Sequence, residues 1–517
     1  MLNLATLLEN SAHKYAGKTA FTFMDTSLSF AQINSTANQV ANALMDLGIK
    51  PGDKVAMSCF NLPYFPIIYN GILKAGAIVV PLSILLKSDE IQYHLDNSDA
   101  KAYFCFAGTE ELPTGKMGHE GFQKTTNCEH FFMIMPKDDM PSPIPTTNTF
   151  GSFVDGKSPN FDTIETKASD TAVIIYTSGT TGRPKGAELT HSNLFTNAVL
   201  SADLFDGTTE DIHLIVLPLF HIFAMTVMMN AGLYRGATSI LLPRFDAEAV
   251  LNTMHKHKVT VFAGVPTMYW GLNNYLDTHE FDISSIQSNL KSCLSGGASL
   301  PIPVLEKFEE RFKITILEGY GMSEGSPIVT FNHMGEERVP GSIGRPVWGV
   351  EVKLVDDEGN EVPEGYPGEL TITTLGIEAM PLLRFRTGDV VVAHRLPCKC
   401  GRNTLRLGPV LGRKKQMIKY KGTTLYPPAM DNLLNDFSEV TNHVIEIYHN
   451  EIGTDEIKIK ITTSSTSEKL LRNIKDHFRS RLRVSPKIEI TDLKEIQKLQ
   501  ASKLGRKPIT VIDTRTT

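Results

Sequence analysis

The run Thr177-Ser178-Gly179-Thr180-Thr181-Gly182-Arg183-Pro184-Lys185-Gly186 holds three glycines, four hydroxyl side chains and one lysine. Glycine lets backbone N–H groups approach an anion closely, hydroxyls add donors, and Lys185 adds a point charge. The chemistry suggested is a phosphate cradle, set against a plain Ser/Thr/Gly surface loop. A P-loop is excluded, because no Gly-Lys-Ser/Thr closes the segment at the required spacing.

A second cluster, Leu317-Glu-Gly-Tyr320-Gly-Met-Ser323-Glu324, puts an aromatic ring, a hydroxyl and a carboxylate within five residues of glycine-rich backbone. Tyr320 could stack on a ring, and Glu324 could hold Mg²⁺, which favours one or two carboxylates plus phosphate oxygens. In Leu294-Ser-Gly-Gly297-Ala298 two glycines end an apolar run, where a flat ring could approach the backbone. Arg384-Phe-Arg386-Thr-Gly388-Asp389 ends with an acid expected at a turn, suited to ribose hydroxyls or to capping. His221, within Leu217-Pro-Leu-Phe-His221-Ile-Phe-Ala-Met225, is either a satisfied core histidine or a functional one. Cys398-Lys-Cys400 lacks a second pair, so a turn with two thiols is expected ahead of a zinc site, even with His394 nearby.

These residues need strand ends to present them. Thr171-Ala-Val-Ile-Ile-Tyr176 reads as a buried strand feeding the glycine loop. Thr190, Ser192 and Asn193 offer N-cap chemistry for a helix just after it. Upstream, Lys54–Cys59 and Ala77–Pro81 read as strands, alternating with helices over Phe30–Leu47 and Pro63–Lys74, which predicts a parallel sheet. Residues 107–168 lose this rhythm and read as surface excursions and edge elements. Leu214–Tyr234 is apolar enough to mimic a membrane span, but Pro218, His221 and Asn230 favour a buried strand and a core helix. Val259–Met268 reads as a strand entering a turn. Alternating strands bracketed by Pro340–Pro346 and Gly365–Leu370 suggest a small β-rich subdomain. The segment from Gly412 to Gly422 reads as a short basic strand. Residues 423–517 follow as a separate α+β run, with strands near 443–449, 457–463 and 487–491.

At 517 residues the chain exceeds what one core supports, and 41% hydrophobic with 21% charged residues is ordinary for a globular protein. A net charge of −6 without a basic stripe argues against nucleic acid as a partner. Six scattered cysteines predict reduced thiols and a cytoplasmic setting, and the N-terminus carries no signal-peptide pattern.

Together, Tyr176-Thr-Ser-Gly-Thr-Thr-Gly-Arg-Pro-Lys-Gly186, Gly319-Tyr-Gly-Met-Ser-Glu324, Arg386-Thr-Gly-Asp389 and Gly412-Arg413 resemble the adenylate-forming superfamily along essentially the whole chain. Residues 1–375 look most like medium- and long-chain fatty acyl-CoA synthetases; residues 380–430 look more like phenylacetate-CoA ligases. The resemblance implies an α/β fold. Residues 1–411 form a large domain of layered parallel and mixed sheets, and residues 412–517 a small mobile α+β domain. It implies ATP, Mg²⁺ and CoA as the molecules handled, and a hydrophobic carboxylic acid as the substrate. Thr177, Ser178, Gly179, Thr180, Thr181, Gly182 and Lys185 are then expected at the β- and γ-phosphates, with Ser323 beside them and Glu324 on Mg²⁺. Gly297, Ala298 and Tyr320 would flank adenine, and Asp389 and Arg413 would hold the ribose. His221 would sit beside the acyl carboxylate and Lys415 at the hinge, with Lys419, Lys421 and Gly422 on the CoA side.

Relatives carry a lysine directly after a glycine near the C-terminus, and here that place is contested. Counting from Gly505 selects Arg506; counting back from Val511-Ile512-Asp513 selects Lys507, the residue expected to act in adenylation; Lys503 is a third choice. Transfer to an acyl carrier protein, luciferase-type oxidation of the acyl-adenylate and a catalytically degenerate binding protein stay open as alternatives. So does the assembly state, with a homodimer as one candidate.

Overall fold

The computed structural model describes residues 2–177, 183–375, 381–395, 404–420, 423–437, 439–449, 455–463, 468–482, 484–500 and 510–515. The chain divides into two compact units, residues 1–351 with 373–383, and residues 352–372 with 384–517.

The first unit is built on two large sheets. A seven-stranded sheet runs in the order Asn148–Thr149, His130–Ile134, Ala100–Phe106, Lys54–Ser58, Ile78–Pro81, Thr171–Thr177 and Lys185–Thr190. Every neighbouring pair is parallel except the last, which is an antiparallel hairpin around the glycine loop. A nine-stranded sheet has parallel strands at its centre: Ile316–Gly321, Ser292–Ser295, Val261–Gly264, Ile212–Ile215, Thr238–Leu241 and Thr19–Phe23. Antiparallel strands finish both of its edges.

Helix packing follows from the sequence periodicity. Phe30–Asp46 starts in a capping box, where Ser29 and Gln32 satisfy each other's backbone N–H groups. Its buried stripe of Phe30, Ile33, Ala37, Val40, Ala41 and Leu44 has helical spacing, and Gly48 follows at φ +88. Full burial of each large apolar side chain in that stripe is worth about 1.5–3 kcal/mol. The helix Tyr64–Lys74 presses on it so closely that a Cβ at Gly71 would stand 2.5 Å from Val40, so any larger residue there would force the pair apart.

The second unit carries a five-stranded sheet made of Val350–Val355, Pro367–Thr374, Phe385–His394, Arg406–Leu407 and Gly412–Arg413. This is the β-rich subdomain read from the sequence. Its C-terminal part is a four-stranded sheet in the order Lys487–Ile490, Asp455–Thr463, Val440–His449, Val511–Asp513. The central pair is antiparallel and both outer pairs are parallel. Ile445, Ile447, Ile457, Ile459, Ile461, Ile474 and Phe478 form its core.

Three local expectations need correction. His130–Ile134 is a parallel strand inside the seven-stranded sheet, not a surface excursion; its Phe131-Phe-Met-Ile run is buried, and the surrounding Pro and Gly hid it. Asp389 lies within the ten-residue strand Phe385–His394 and not at a turn, because Gly388 at φ +79 bends the strand without ending it. Residues 412–420 are not one strand. A 3₁₀ turn over Lys414–Gln416 separates Gly412–Arg413 from Ile418–Tyr420. Among the described residues no helix is long and apolar enough to cross a membrane; the segment read as a span mimic is the strand Ile212–Ile215 followed by helix.

Candidate active site

Four neighbouring strands of the nine-stranded sheet, Ile212–Ile215, Val261–Gly264, Ser292–Ser295 and Ile316–Gly321, run parallel. Their carboxyl ends therefore release 217–221, Val265, 296–298 and 320–324 along one edge, where open parallel sheets bind ligands. The segments touch. A Cβ at Gly296 would lie 3.4 Å from the Phe223 ring and 3.5 Å from the Gly319 carbonyl, ordinary contact distances that put the three segments side by side. Gly297 adopts φ +78, and a Cβ there would stand 3.6 Å from Val265. Gly297, Ala298 and His221 are exposed at this edge, while Tyr320, Ser323 and Glu324 are half-buried.

His221 is set by its own loop. Its N–H donates to the Pro218 carbonyl at 2.9 Å, and its Nδ1 accepts the Phe223 N–H at 3.3 Å. In the neutral ring the proton then resides on Nε2, which makes that atom a donor.

The glycine-loop hairpin is braced within the other sheet. Thr177 and Lys185 are register partners across the hairpin, so the structure joins the two ends of the glycine loop; residues 178–182 lie outside the described residues. Beyond the loop, Tyr93 Oη donates to the Pro184 carbonyl at 2.8 Å, and the Arg183 guanidinium sits 5.5 Å from the centre of the same ring. Nothing in the sequence marks Tyr93, one aromatic in the amphipathic helix Ser88–Ser98.

The strand Lys185–Thr190 packs against the turn Ser323–Gly325. Thr190 caps the helix His191–Leu204, its Oγ1 accepting the Asn193 N–H at 3.0 Å. Asn193 Nδ2 in turn donates to Ser326 Oγ at 3.2 Å, and Asn197 clamps the Ile328 backbone through both its amide atoms. Helix start, lysine strand and Glu324 turn are thus tied together.

Glu318 is a further residue of this region beyond the sequence expectations, although an acid inside the apolar run Ile316-Leu317-Glu318 is a readable signal. It is 4% exposed, and Oε1 accepts the Gly341 N–H at 2.9 Å. Burial raises its pKa to about 7, against the pull of the Gly341 and Leu300 N–H groups and of Arg338. It therefore joins the loops around 300 and 341 to the strand that carries Tyr320.

In the second unit Asp389 and Arg413 are cross-strand partners, with Nε 3.4 Å from Oδ1. Beside them Glu369 receives both Arg386 and Lys414, and Lys414 also reaches Asp357. Burial alone would raise the Glu369 pKa; the two cations outweigh it and hold the carboxyl below its ordinary value. Lys415 sits in the Lys414–Gln416 turn. The side chains of Lys415 and Lys419 lie outside the described residues. So do Lys421, Gly422, Cys398, Cys400, Lys503, Arg506 and Lys507.

Residues 8–378 match the family profile described as AMP-binding enzyme, and residues 422–515 that described as AMP-binding enzyme C-terminal domain. A long-chain-fatty-acid–CoA ligase of Bacillus subtilis (strain 168) is 34% identical over 71% of this chain and 68% of its own length. One from Yersinia pestis is 29% identical over 98% of this chain and 94% of its own length. Among solved structures, the anthranilate CoA ligase AuaEII in complex with anthranoyl-AMP superposes with a TM-score of 0.83 at 26% identity, covering 95% of this chain and 93% of that one. A benzoate CoA ligase from Burkholderia xenovorans LB400 superposes with a TM-score of 0.81 at 24% identity, covering 99% of both chains.

Proposed function

Because the chain belongs to the AMP-binding enzyme family, as an AMP-forming CoA ligase of the acyl and aryl group, we propose that it activates a hydrophobic carboxylic acid, fatty or aryl, with ATP and passes the acyl group to CoA. A carboxylate oxygen attacks the α-phosphorus, the bond to the β-phosphate oxygen breaks, and acyl-AMP and pyrophosphate result. The CoA thiolate then attacks the acyl carbonyl and AMP leaves. Both steps ask the protein chiefly for positioning and charge neutralisation.

The observation that carries this reading is the convergence of His221, Gly297 and Tyr320 with Glu324, whose turn packs on the strand that begins at Lys185. In it, Thr177, Lys185 and residues 178–182 grip the β- and γ-phosphates, with Ser323 adding a hydroxyl. The hard oxygens of half-buried Glu324, facing phosphate, fit Mg²⁺, which when bound supplies charge neutralisation. Gly297, Ala298 and Tyr320 border adenine, and Asp389 with Arg413 takes the ribose. His221 Nε2–H donates to the acyl carboxylate. Lys507 acts in adenylation, and Lys419, Lys421 and Gly422 serve CoA.

The test is pyrophosphate release over a panel of carboxylic acids, with and without CoA. Release should depend on the acid, and thioester should form only when CoA is present. Lys185→Ala and Glu324→Ala should each lower acid-dependent ATP–pyrophosphate exchange by about a hundredfold or more. No exchange with any acid would overturn the ligase reading. Exchange without thioester formation would shift the acceptor to a carrier protein.

A further inference from the structure

The loop that carries His221 leaves its strand at Ile215, and one side chain holds the backbone around that exit. Asn61 Nδ2 donates to the carbonyls of Ile215 at 3.3 Å, Leu217 at 3.0 Å and Leu242 at 2.9 Å. Its Oδ1 accepts the Leu219 N–H at 2.9 Å. Asn61 is only 2% exposed, and Ile215, Val216, Leu217 and Leu219 are buried around it, so water does not readily replace these bonds. Its sequence position matters as well. Asn61 follows the strand Lys54–Ser58 of the seven-stranded sheet, whereas its partners follow Ile212–Ile215 and Thr238–Leu241 of the nine-stranded one. A single amide thus bridges the carboxyl ends of the two sheets at the root of the histidine loop. From there the path to the ring is short: the Pro218 carbonyl accepts the His221 N–H, and the His221 carbonyl accepts the Met225 N–H at 3.1 Å, which opens the next helix.

We propose that Asn61 is a positioning residue for His221: it fixes the Ile215–Leu219 backbone so that the imidazole meets the acid, and it does nothing for the nucleotide. The kinetic part of this proposal rests on the ligase reading; the structural part does not. Only an amide meets the geometric demand, since donor and acceptor must face three carbonyls and one N–H from the same carbon. Asn61→Asp keeps the acceptor for Leu219 and turns an oxygen toward the three carbonyls.

Two measurements on the full chain decide the matter, using Asn61→Ala, Asn61→Ser and Asn61→Asp. In hydrogen–deuterium exchange read by mass spectrometry, peptides covering 216–223 should exchange faster in each variant, while peptides covering 186–200 and 316–330 stay as in the wild type. In ATP–pyrophosphate exchange, KM for the acid should rise and kcat fall by about tenfold combined, with KM for ATP unchanged within about twofold. The proposal is overturned if 216–223 stays protected, if KM for ATP moves with that for the acid, or if all three variants lose the whole fold, which would make Asn61 a general brace. A wild type that exchanges no pyrophosphate with any acid sinks the ligase reading instead, and the deuterium pattern still decides the role of Asn61.

Discussion

A histidine whose Nδ1 already accepts the Phe223 N–H can offer only its Nε2 proton, which suits a carboxylate oxygen better than any cationic partner. The same economy applies to the basic residues of the C-terminal tail. An ammonium on a flexible stem can follow two oxygens whose geometry changes during reaction, whereas a planar guanidinium is committed to one fork. That argument favours Lys507 over Arg506, although Arg506 is the residue that directly follows Gly505. Lys507→Ala should therefore lose acid-dependent pyrophosphate exchange by about a hundredfold while still making thioester from pre-formed acyl-AMP. If Lys507→Ala exchanges pyrophosphate normally and Arg506→Ala does not, the glycine-anchored alignment was the right one.

Between residue and domain stands the helix that follows His221. Phe223–Asn230 is wound as a π-helix before α-helix resumes at Ala231–Arg235, and π segments are frequent at functional sites. Met225, Met228 and Met229 are all buried along it, with Phe220 and Phe223 half-buried beside them. Methionine fills irregular space and yields to different shapes, so this wall should accept a long or broad apolar group. Across a series of straight-chain acids, kcat/KM should climb from acetate, with each buried methylene worth about 0.8 kcal/mol until the chain outgrows the pocket. Acetate proving the best substrate would remove this wall from the acid site. The sequence could show that the segment is helical and buried, but not that it is π-wound: an all-round apolar run fits either period.

At the scale of the molecule, Asp389, Arg413 and Lys415 belong to the second compact unit, and Lys185, His221, Tyr320 and Glu324 to the first. If two half-reactions are served by a rotation at Lys415, fixing its φ should separate them. Lys415→Pro is expected to retain pyrophosphate exchange and to lose thioester formation; equal loss of both would place the hinge elsewhere. Stability should carry its own pH signature. Between about pH 4.5 and 7 the folded chain keeps a proton on Glu318 that the unfolded chain has released, so this group makes stability fall as pH rises. His191 and His213, whose pKa values burial lowers to about 4, act the other way: the unfolded chain takes up protons that the folded chain excludes, so their contribution is lost as pH falls below about 6.5. Two groups outweigh one where the windows overlap, and their joint effect makes Tm rise between about pH 4.5 and 6.5. Glu318→Gln should steepen that rise in a melting series over the same range. An unchanged slope would mean that the Glu318 carboxyl titrates normally.

What could be read from the chain is what is local. A loop that must wrap an anion needs its glycines and hydroxyls in one run, so 177–186 declares itself, as do the Gly-Tyr-Gly of 319–321 and the helical stripe from Phe30 to Leu44. Alternation of apolar runs with amphipathic helices likewise announces a parallel sheet. The braces behind the site were silent because each partner is ordinary in its own neighbourhood. Asn61 lies in a short loop more than 150 residues from the carbonyls it holds, and Tyr93 91 residues from Pro184. Asn193 reaches Ser326 across 133 residues. Glu318 does stand out beside Ile316 and Leu317, but that its carboxyl is buried emerges only in the closed fold. Periodicity and turn chemistry act over a few residues and can specify loops, strands and helices. Which buried carbonyl meets which amide is settled only when two sheets close on each other and water is gone, because only then does an unpaired polar group carry a cost.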